Sequence, residues 1–418
     1  MPSGRWLRRG TAIVVAVGLV ATVGWYWYRS LTPATYSMMD MGYTDLGSGP
    51  PAMSAMPGMA GMEGPVSVKD LAGPAGRPDV AVTLVAQQGP FRLASGAKVT
   101  GYTLNGQSPG PIIRVRQGDL VEVTLVNDSV RNGVTLHWHG VNVPNAEDGV
   151  AGVTQDAVRP GHRFVYRFRV EDTGTYWYHS HQDSHEQVPG GLFGMLIVDP
   201  RSGPAPGVLD VVAAVHRYNG RQTVTGHTGR RRVAAASGTA ARVRIGNTDD
   251  GPLIVSVSGA SYRVLAHDGR DVNAPTEVTG RSVRIPAGSR VDLGLRVPPD
   301  GSAVLVDLGG GTGLVIGPPD AEVPVTRTAV RTVDLLSYGS PAPIGFDPTK
   351  PDRRFTYSIG RRPGFLSGRP GLWWSINAHL YPDIPMFTVS RGDVVLMTIK
   401  NSSANCIRCT CTGIMRSS

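Results

Sequence analysis

The chain has ten histidines in 418 residues, and four of them fall into two His-x-His pairs. The first pair lies in Leu136-His137-Trp138-His139-Gly140 and the second in Tyr176-Trp177-Tyr178-His179-Ser180-His181-Gln182. Random placement of so few histidines gives about 0.2 such pairs, so two are a signal rather than an accident. Both sit in aromatic, strand-like runs. Alternate residues of a strand share a face, which puts the two imidazoles of a pair roughly 6–7 Å apart at Cα. Rings so placed reach different ions more readily than one. Two such strands side by side predict four imidazoles, from His137, His139, His179 and His181, around a polynuclear site. Imidazole suits Cu, Zn, Fe and Ni, so spacing alone does not name the metal. His162, His216, His227, His267 and His379 show no paired spacing and read as structural or exposed. His185, just past the second motif, reads as a surface residue or one beside the ligands.

The elements that must carry these residues follow from the pattern. Short alternating runs separated by turn residues fall at 80–85, 98–102, 111–115, 120–126, 134–139, 163–170, 174–179 and 192–198. The style continues at 241–245, 253–257, 282–285 and 290–297. Such spacing, with 54 Gly and 33 Pro, predicts an all-β chain of antiparallel sandwiches in tandem. There is an internal echo. Residues 115–129 contain Gly118-Asp119 leading into an alternating run that ends at Asn127, and residues 389–403 repeat this with Gly392-Asp393 and Asn401. Duplicated domains are implied, the first beginning near 78 and the repeat near 350. The predicted organisation is a domain over 77–200, a second over 201–330 and the start of a third over 331–405.

The metal motifs resemble the first two copper signatures of the multicopper oxidases, laccase-like enzymes built from three cupredoxin domains. The likeness runs from about 80 to 405. It includes Asn105-Gly106-Gln107-Ser108-Pro109-Gly110-Pro111 and Glu147-Asp148-Gly149-Val150-Ala151-Gly152-Val153-Thr154-Gln155. The resemblance implies cupredoxin-like Greek-key sandwiches, with the third domain incomplete, and copper as cofactor. By the same resemblance His137 binds a type 2 copper, His139 and His179 share one type 3 copper, and His181 binds the other. Asp148 matches the proton-relay carboxylate, against the plainer reading of a turn Asp before Gly. The implied activity oxidises a small reductant (Cu(I), a phenol or similar) one electron at a time and reduces O2 to water.

The family's other two signatures, which supply the rest of the cluster and the type 1 copper, are not seen in the chain. The echo places the first of them just after Ser403, where the sequence reads Cys406-Ile407-Arg408-Cys409-Thr410-Cys411. These are the only cysteines in the chain, which excludes a disulfide framework for the body. One reading is a soft thiolate site for Cu(I) or Zn. The preferred one is a shift of reading frame after Ser402, with 406–418 an out-of-frame tail. Read two nucleotides later, the codons from Cys406 to Met415 can spell His-Pro-Met-His-Leu-His-Gly-His-His. A chain truncated in this way is expected to be inactive, and the rival function is a non-enzymatic extracytoplasmic copper-binding or copper-tolerance protein.

At the N-terminus, Arg5, Arg8 and Arg9 precede an uncharged run over Thr11–Tyr28 that is closed by Arg29. Eighteen residues at about 1.5 Å each match the hydrocarbon thickness of a membrane. Residues 1–30 therefore predict a membrane anchor, or else a cleaved signal, and an extracytoplasmic body. Residues 31–76 read as a flexible linker holding Met38, Met39, Met41, Met53, Met56, Met59 and Met62, whose thioethers select Cu(I). The net charge of +9 carries no nucleic-acid signature. Its one tight cluster, Arg230-Arg231-Arg232, reads as a solvated loop.

Overall fold

The computed structural model describes residues 3–31, 42–49, 71–326, 331–390 and 392–403. The Met-rich positions and the three cysteines lie outside the described residues. Residues Val66–Ala342 form one compact unit, and Met1–Pro65 with Pro343–Ile407 form a second.

Helix α1 spans Ser3–Arg29, and its Arg9–Arg29 stretch is long and apolar enough to cross a membrane. Strand β1 is Tyr43–Asp45. The first sandwich then follows: β2 (Val80–Arg92), β3 (Lys98–Leu104), β4 (Ile113–Arg116), β5 (Leu120–Asn127), β6 (His137–His139), β7 (Arg163–Arg169), β8 (Gly174–His179) and β9 (Phe193–Asp199). One sheet has the order β3-β2-β5-β7 and the other β4-β9-β8-β6. The pairs β2–β5 and β4–β9 are parallel and their neighbours antiparallel, so the chain crosses between sheets as Greek-key connections require. Alternation explains the layers. In β5, Val121, Val123 and Leu125 are buried against Ile113, Tyr166, Phe168 and Leu196 from both sheets.

The second sandwich uses β10 (Val208–Tyr218), β11 (Arg221–Val224), β12 (Arg230–Ala234), β13 (Ala240–Asn247), β14 (Leu253–Ser258), β15 (Tyr262–His267), β16 (Arg270–Asp271), β17 (Arg281–Ile285), β18 (Arg290–Arg296), β19 (Val304–Asp307), β20 (Gly313–Gly317) and β21 (Arg331–Thr332). Its six-stranded sheets run β11-β10-β13-β18-β15-β16 and β12-β20-β19-β14-β17-β21. Two sequence expectations change here. Arg230-Arg231-Arg232 is not a loop but most of the edge strand β12, paired in parallel with β20. Its arginines stay exposed, and charge on an open edge discourages pairing with another chain. The second sandwich also runs past 330, because β21 pairs with β17 and Val333 joins the second core.

In the other unit, β22 (Arg353–Leu366), β23 (Arg369–Ile376), β24 (Pro385–Phe387) and β25 (Val395–Asn401) realise the echo. Antiparallel β22–β23 and parallel β22–β25 repeat β2–β3 and β2–β5. The turn carboxylates match as well: Asp119 Oδ2 accepts Arg116 N–H at 2.8 Å and Asp393 Oδ2 accepts Ser390 N–H at 2.7 Å. So do the hairpin asparagines. Asn105 donates to Thr83 O and accepts Val85 N–H, and Asn377 donates to Thr356 O and accepts Ser358 N–H. The duplication is structural down to individual hydrogen bonds.

Candidate metal centre

Strands β6 and β8 pair antiparallel, with His137 opposite His179 and His139 opposite Trp177. The register sends Trp138 and Tyr178 into the sandwich core and the histidines to the other face. Ring centroids then lie 5.9 Å apart for His137–His139, 5.3 Å for His137–His179, 5.5 Å for His137–His181 and 5.5 Å for His139–His179. The four histidines named from sequence are thus gathered together. One nitrogen each of His137, His139 and His179 falls within 4.8 Å of the others, closer than Cα spacing along a strand suggests. The reason is ring tilt: His137 and His139 stand at 75° to one another.

The protonation pattern suits a cation. His137 Nδ1 faces the Asp148 carbonyl at 2.9 Å and Asp148 Oδ1 at 3.1 Å, so Nδ1 carries the proton. That leaves Nε2 as a lone pair, buried and without a hydrogen-bond partner. A buried orphan acceptor is costly unless something binds it. His179 Nδ1 donates to Ser180 O at 2.9 Å, which turns its Nε2 toward His139 Nδ1 at 3.3 Å. Two ligands of one tetrahedral ion with metal–nitrogen bonds of about 2.0 Å stand about 3.3 Å apart. Burial and the neighbouring His137 hold the His181 pKa below its ordinary value, which favours the neutral, ligating ring. The donor set is all imidazole, and copper is among the metals it fits.

Asp148 is buried in the turn after the short 3-10 segment Asn145–Glu147. Gly149 must be glycine: its φ is +69°, and a Cβ there would stand 1.7 Å from Leu136 O. This close approach presses Asp148 onto His137. Glu147 anchors the turn by accepting Gly73 N–H at 3.0 Å and Arg167 N–H at 2.8 Å. Burial pushes its carboxyl above the usual range, opposed by those two bonds.

Residues 86–203 match the multicopper oxidase family. A copper resistance protein A homolog from Pseudomonas syringae pv. tomato is 41% identical over 112 residues, covering 27% of this chain and 18% of that protein. The L-ascorbate oxidase of Cucumis sativus is 48% identical over 103 residues, covering 24% of this chain and 17% of that enzyme. The matches therefore span under a fifth of these relatives' length. Over residues 86–203 the chain is similar to the multicopper oxidases. The same likeness extends to solved structures. The blue copper oxidase of Nitrosomonas europaea superposes with a TM-score of 0.51 at 25% identity, covering 57% of this chain and 85% of that one. The laccase of Botrytis aclada, at 20% identity and a TM-score of 0.56, covers 73% of this chain and 65% of its own and shares the fold.

Within this stretch, sequence reasoning missed the residues that brace the histidines. Trp177 is fully buried, with its ring centroid 4.3 Å from His179 and 4.9 Å from His139, at 32° to both. Ser180 Oγ donates to Gln187 Oε1 at 2.6 Å, and Gln187 Nε2 donates to Gly133 O at 2.9 Å. The contacts of Trp177 with His139 and of Gln187 with Gly133 join segments about 40–50 residues apart, which no local pattern marks. The neighbouring sandwich contributes too. Arg244, buried at the junction, is bonded to Asp210 at 2.7 Å and Asp292 at 3.2 Å, and Arg114 reaches Asp210 and Asp199 at 2.5 Å.

Proposed function

We propose that this protein is built as a copper-dependent oxidase that couples one-electron oxidation of a small reductant, Cu(I), a phenol or similar, to reduction of O2 to water, and that the chain as it stands, without the two further copper signatures, holds copper but does not turn over. The observation that carries this reading is the buried, unpartnered Nε2 of His137 beside the 3.3 Å His139–His179 pair. On it, His137 holds a type 2 copper, His139 and His179 share a type 3 copper, and His181 holds the second type 3 copper. Copper bound there supplies the electron transfer to O2. The chain's own groups do the rest. Asp148 fixes the His137 tautomer through its carbonyl, and its carboxylate serves as the nearest proton carrier to the ring. The apolar helix α1 supports export, with the body extracytoplasmic and either anchored or released.

The test loads the full chain with copper and measures metal content and oxygen uptake. The parent should bind more than one copper, and His137→Ala, His139→Ala, His179→Ala and His181→Ala should each lower the content. In a chain whose reading frame after Ser402 is restored, Asp148→Asn should keep its copper and lose about 10²–10⁴-fold in oxygen uptake. Copper content unchanged in all four histidine variants would end the proposal. A second reading has one observation in its favour: three imidazoles lie close enough for a single ion. On that reading the chain is a copper-binding protein without turnover, and one tightly held copper with no oxygen uptake even after the reading frame is restored would favour it.

A further inference from the structure

The second sandwich touches the histidine strands at several points, among them the tight turn Pro286–Arg290. Trp177 Nε1 donates to Gly288 O at 3.1 Å. Arg290 is 3% exposed, and its Nη1 donates to the same carbonyl at 3.3 Å while its Nε donates to Thr175 O at 3.1 Å in β8. Asp268 Oδ1 accepts from Arg290 Nη1 at 3.1 Å and from Arg290 N at 2.9 Å, and the guanidinium lies 5.7 Å from the Tyr176 ring centroid. It also fills the space over Gly140, the residue after His139, where a Cβ would come within 2.3 Å of Nη2. One guanidinium thus braces the end of β6 and the start of β8. The carbonyl beside it holds the indole that lies against both imidazoles of the 3.3 Å pair.

We propose that the Pro286–Arg290 turn is a positioning element for the His139–His179 copper site, acting through Trp177 and Arg290. Neither residue touches the metal. Trp177 sets the separation and tilt of the two rings, and Arg290 fixes where Trp177 and the two strand ends sit. The proposal rests on the reading that copper binds this pair. It deepens that reading by making the second sandwich part of the site's geometry rather than a passive neighbour. Loss of such supporting contacts costs about 10–100-fold in metal affinity.

The experiment titrates the full chain with Cu(II) against a competing chelator, and records the electron paramagnetic resonance spectrum of the loaded protein. Trp177→Phe keeps an aromatic ring, smaller than the indole, but loses the N–H donor, Arg290→Met loses the donors, and Arg290→Lys keeps the charge and part of the donor set. Trp177→Phe and Arg290→Met should weaken copper by about 10–100-fold and change the copper hyperfine pattern. Arg290→Lys should recover part of the loss. Arg242→Met is the control: Arg242 pairs at 2.7 Å with Asp292, which also accepts from Thr175 of β8, but it has no hydrogen bond to Trp177 or to the Gly288 carbonyl. It should lower stability and leave affinity and spectrum unchanged. Parental affinity and spectrum in Trp177→Phe and Arg290→Met overturn the proposal and leave the copper reading intact. Equal loss in Arg242→Met also overturns it, because the effect would then be one of junction stability alone. If His139→Ala and His179→Ala bind copper like the parent, the underlying copper reading falls as well.

Discussion

Gly149→Ala should disable the His137 arm of the site through backbone geometry alone. Two costs arise. A non-glycine residue at φ +69° costs roughly 1–2 kcal/mol. The new Cβ would also meet Leu136 O at 1.7 Å, where real contacts stay beyond 3.0 Å, so the turn must retreat by about 1.3 Å. Leu136 O cannot yield easily, because it lies in the backbone immediately before His137, whose strand β6 is paired with β8. A retreat of that size carries the Asp148 carbonyl from 2.9 Å to about 4 Å from His137 Nδ1, beyond hydrogen bonding. The ring then loses the contact that fixes its tautomer, and copper affinity should fall about 10–100-fold, or about 1.4–2.8 kcal/mol. Gly152→Ala isolates the first cost, since Gly152 has φ +75° and open space around its Cβ position. Chelator-competition titration and denaturant unfolding on both variants separate the terms. Should Gly149→Ala hold copper as tightly as Gly152→Ala, the turn does not govern His137 and the reasoning fails.

Two further outcomes concern the frame around the site. Asp292→Ala should cost about 3–5 kcal/mol in denaturant unfolding, because it takes one carboxylate from a buried network, removing the acceptor of Arg242 at 2.7 Å, Arg244 at 3.2 Å and Thr175 at 3.0 Å; a loss under about 1 kcal/mol would show that the network is dispensable. Burial holds the His216 pKa below its ordinary value near 6.5, against the opposing pull of Asp249, so the unfolded chain takes up a proton that the folded one resists. Its contribution to stability is therefore full above about pH 6.5 and shrinks as the pH falls toward the lower folded value, and His216→Phe should flatten that slope in unfolding midpoints measured from pH 7.5 to 5.

The strands with clean alternation were legible from sequence, as β5 shows, because one face is buried against a core that selects apolar residues every second position. Strand β12 was not. Its Arg-rich sequence carries no alternation, and it becomes a strand only because β20, some eighty residues on, offers an edge to pair with. Long β10 escaped as well: its central run is buried on both faces, part against the second core and part against the first sandwich, which erases the period of two. The paired histidines were visible because His-x-His is rare and local. Arg290 and the Trp177 indole contact were invisible for the opposite reason, since their partners lie about 110 residues away.

The same periodicity explains why the core, rather than the metal, decides which way the histidines face. A slip of one residue between β6 and β8 would turn each side chain to the other face of the sheet. Trp138 is 1% exposed and Tyr178 fully buried, and they sit opposite one another in the register, with Trp138 packed on Phe168 at 4.6 Å. Burying one large aromatic side chain contributes about 1.5–3 kcal/mol, so a slip that exposed both would forfeit several kcal/mol before any ligand was considered. Because Trp138 lies between His137 and His139, and Tyr178 lies beside His179, fixing the aromatics inward fixes those imidazoles outward. The histidine cluster is thus assembled by hydrophobic packing, which leaves the His139 and His179 nitrogens 3.3 Å apart, the spacing of two ligands on one ion.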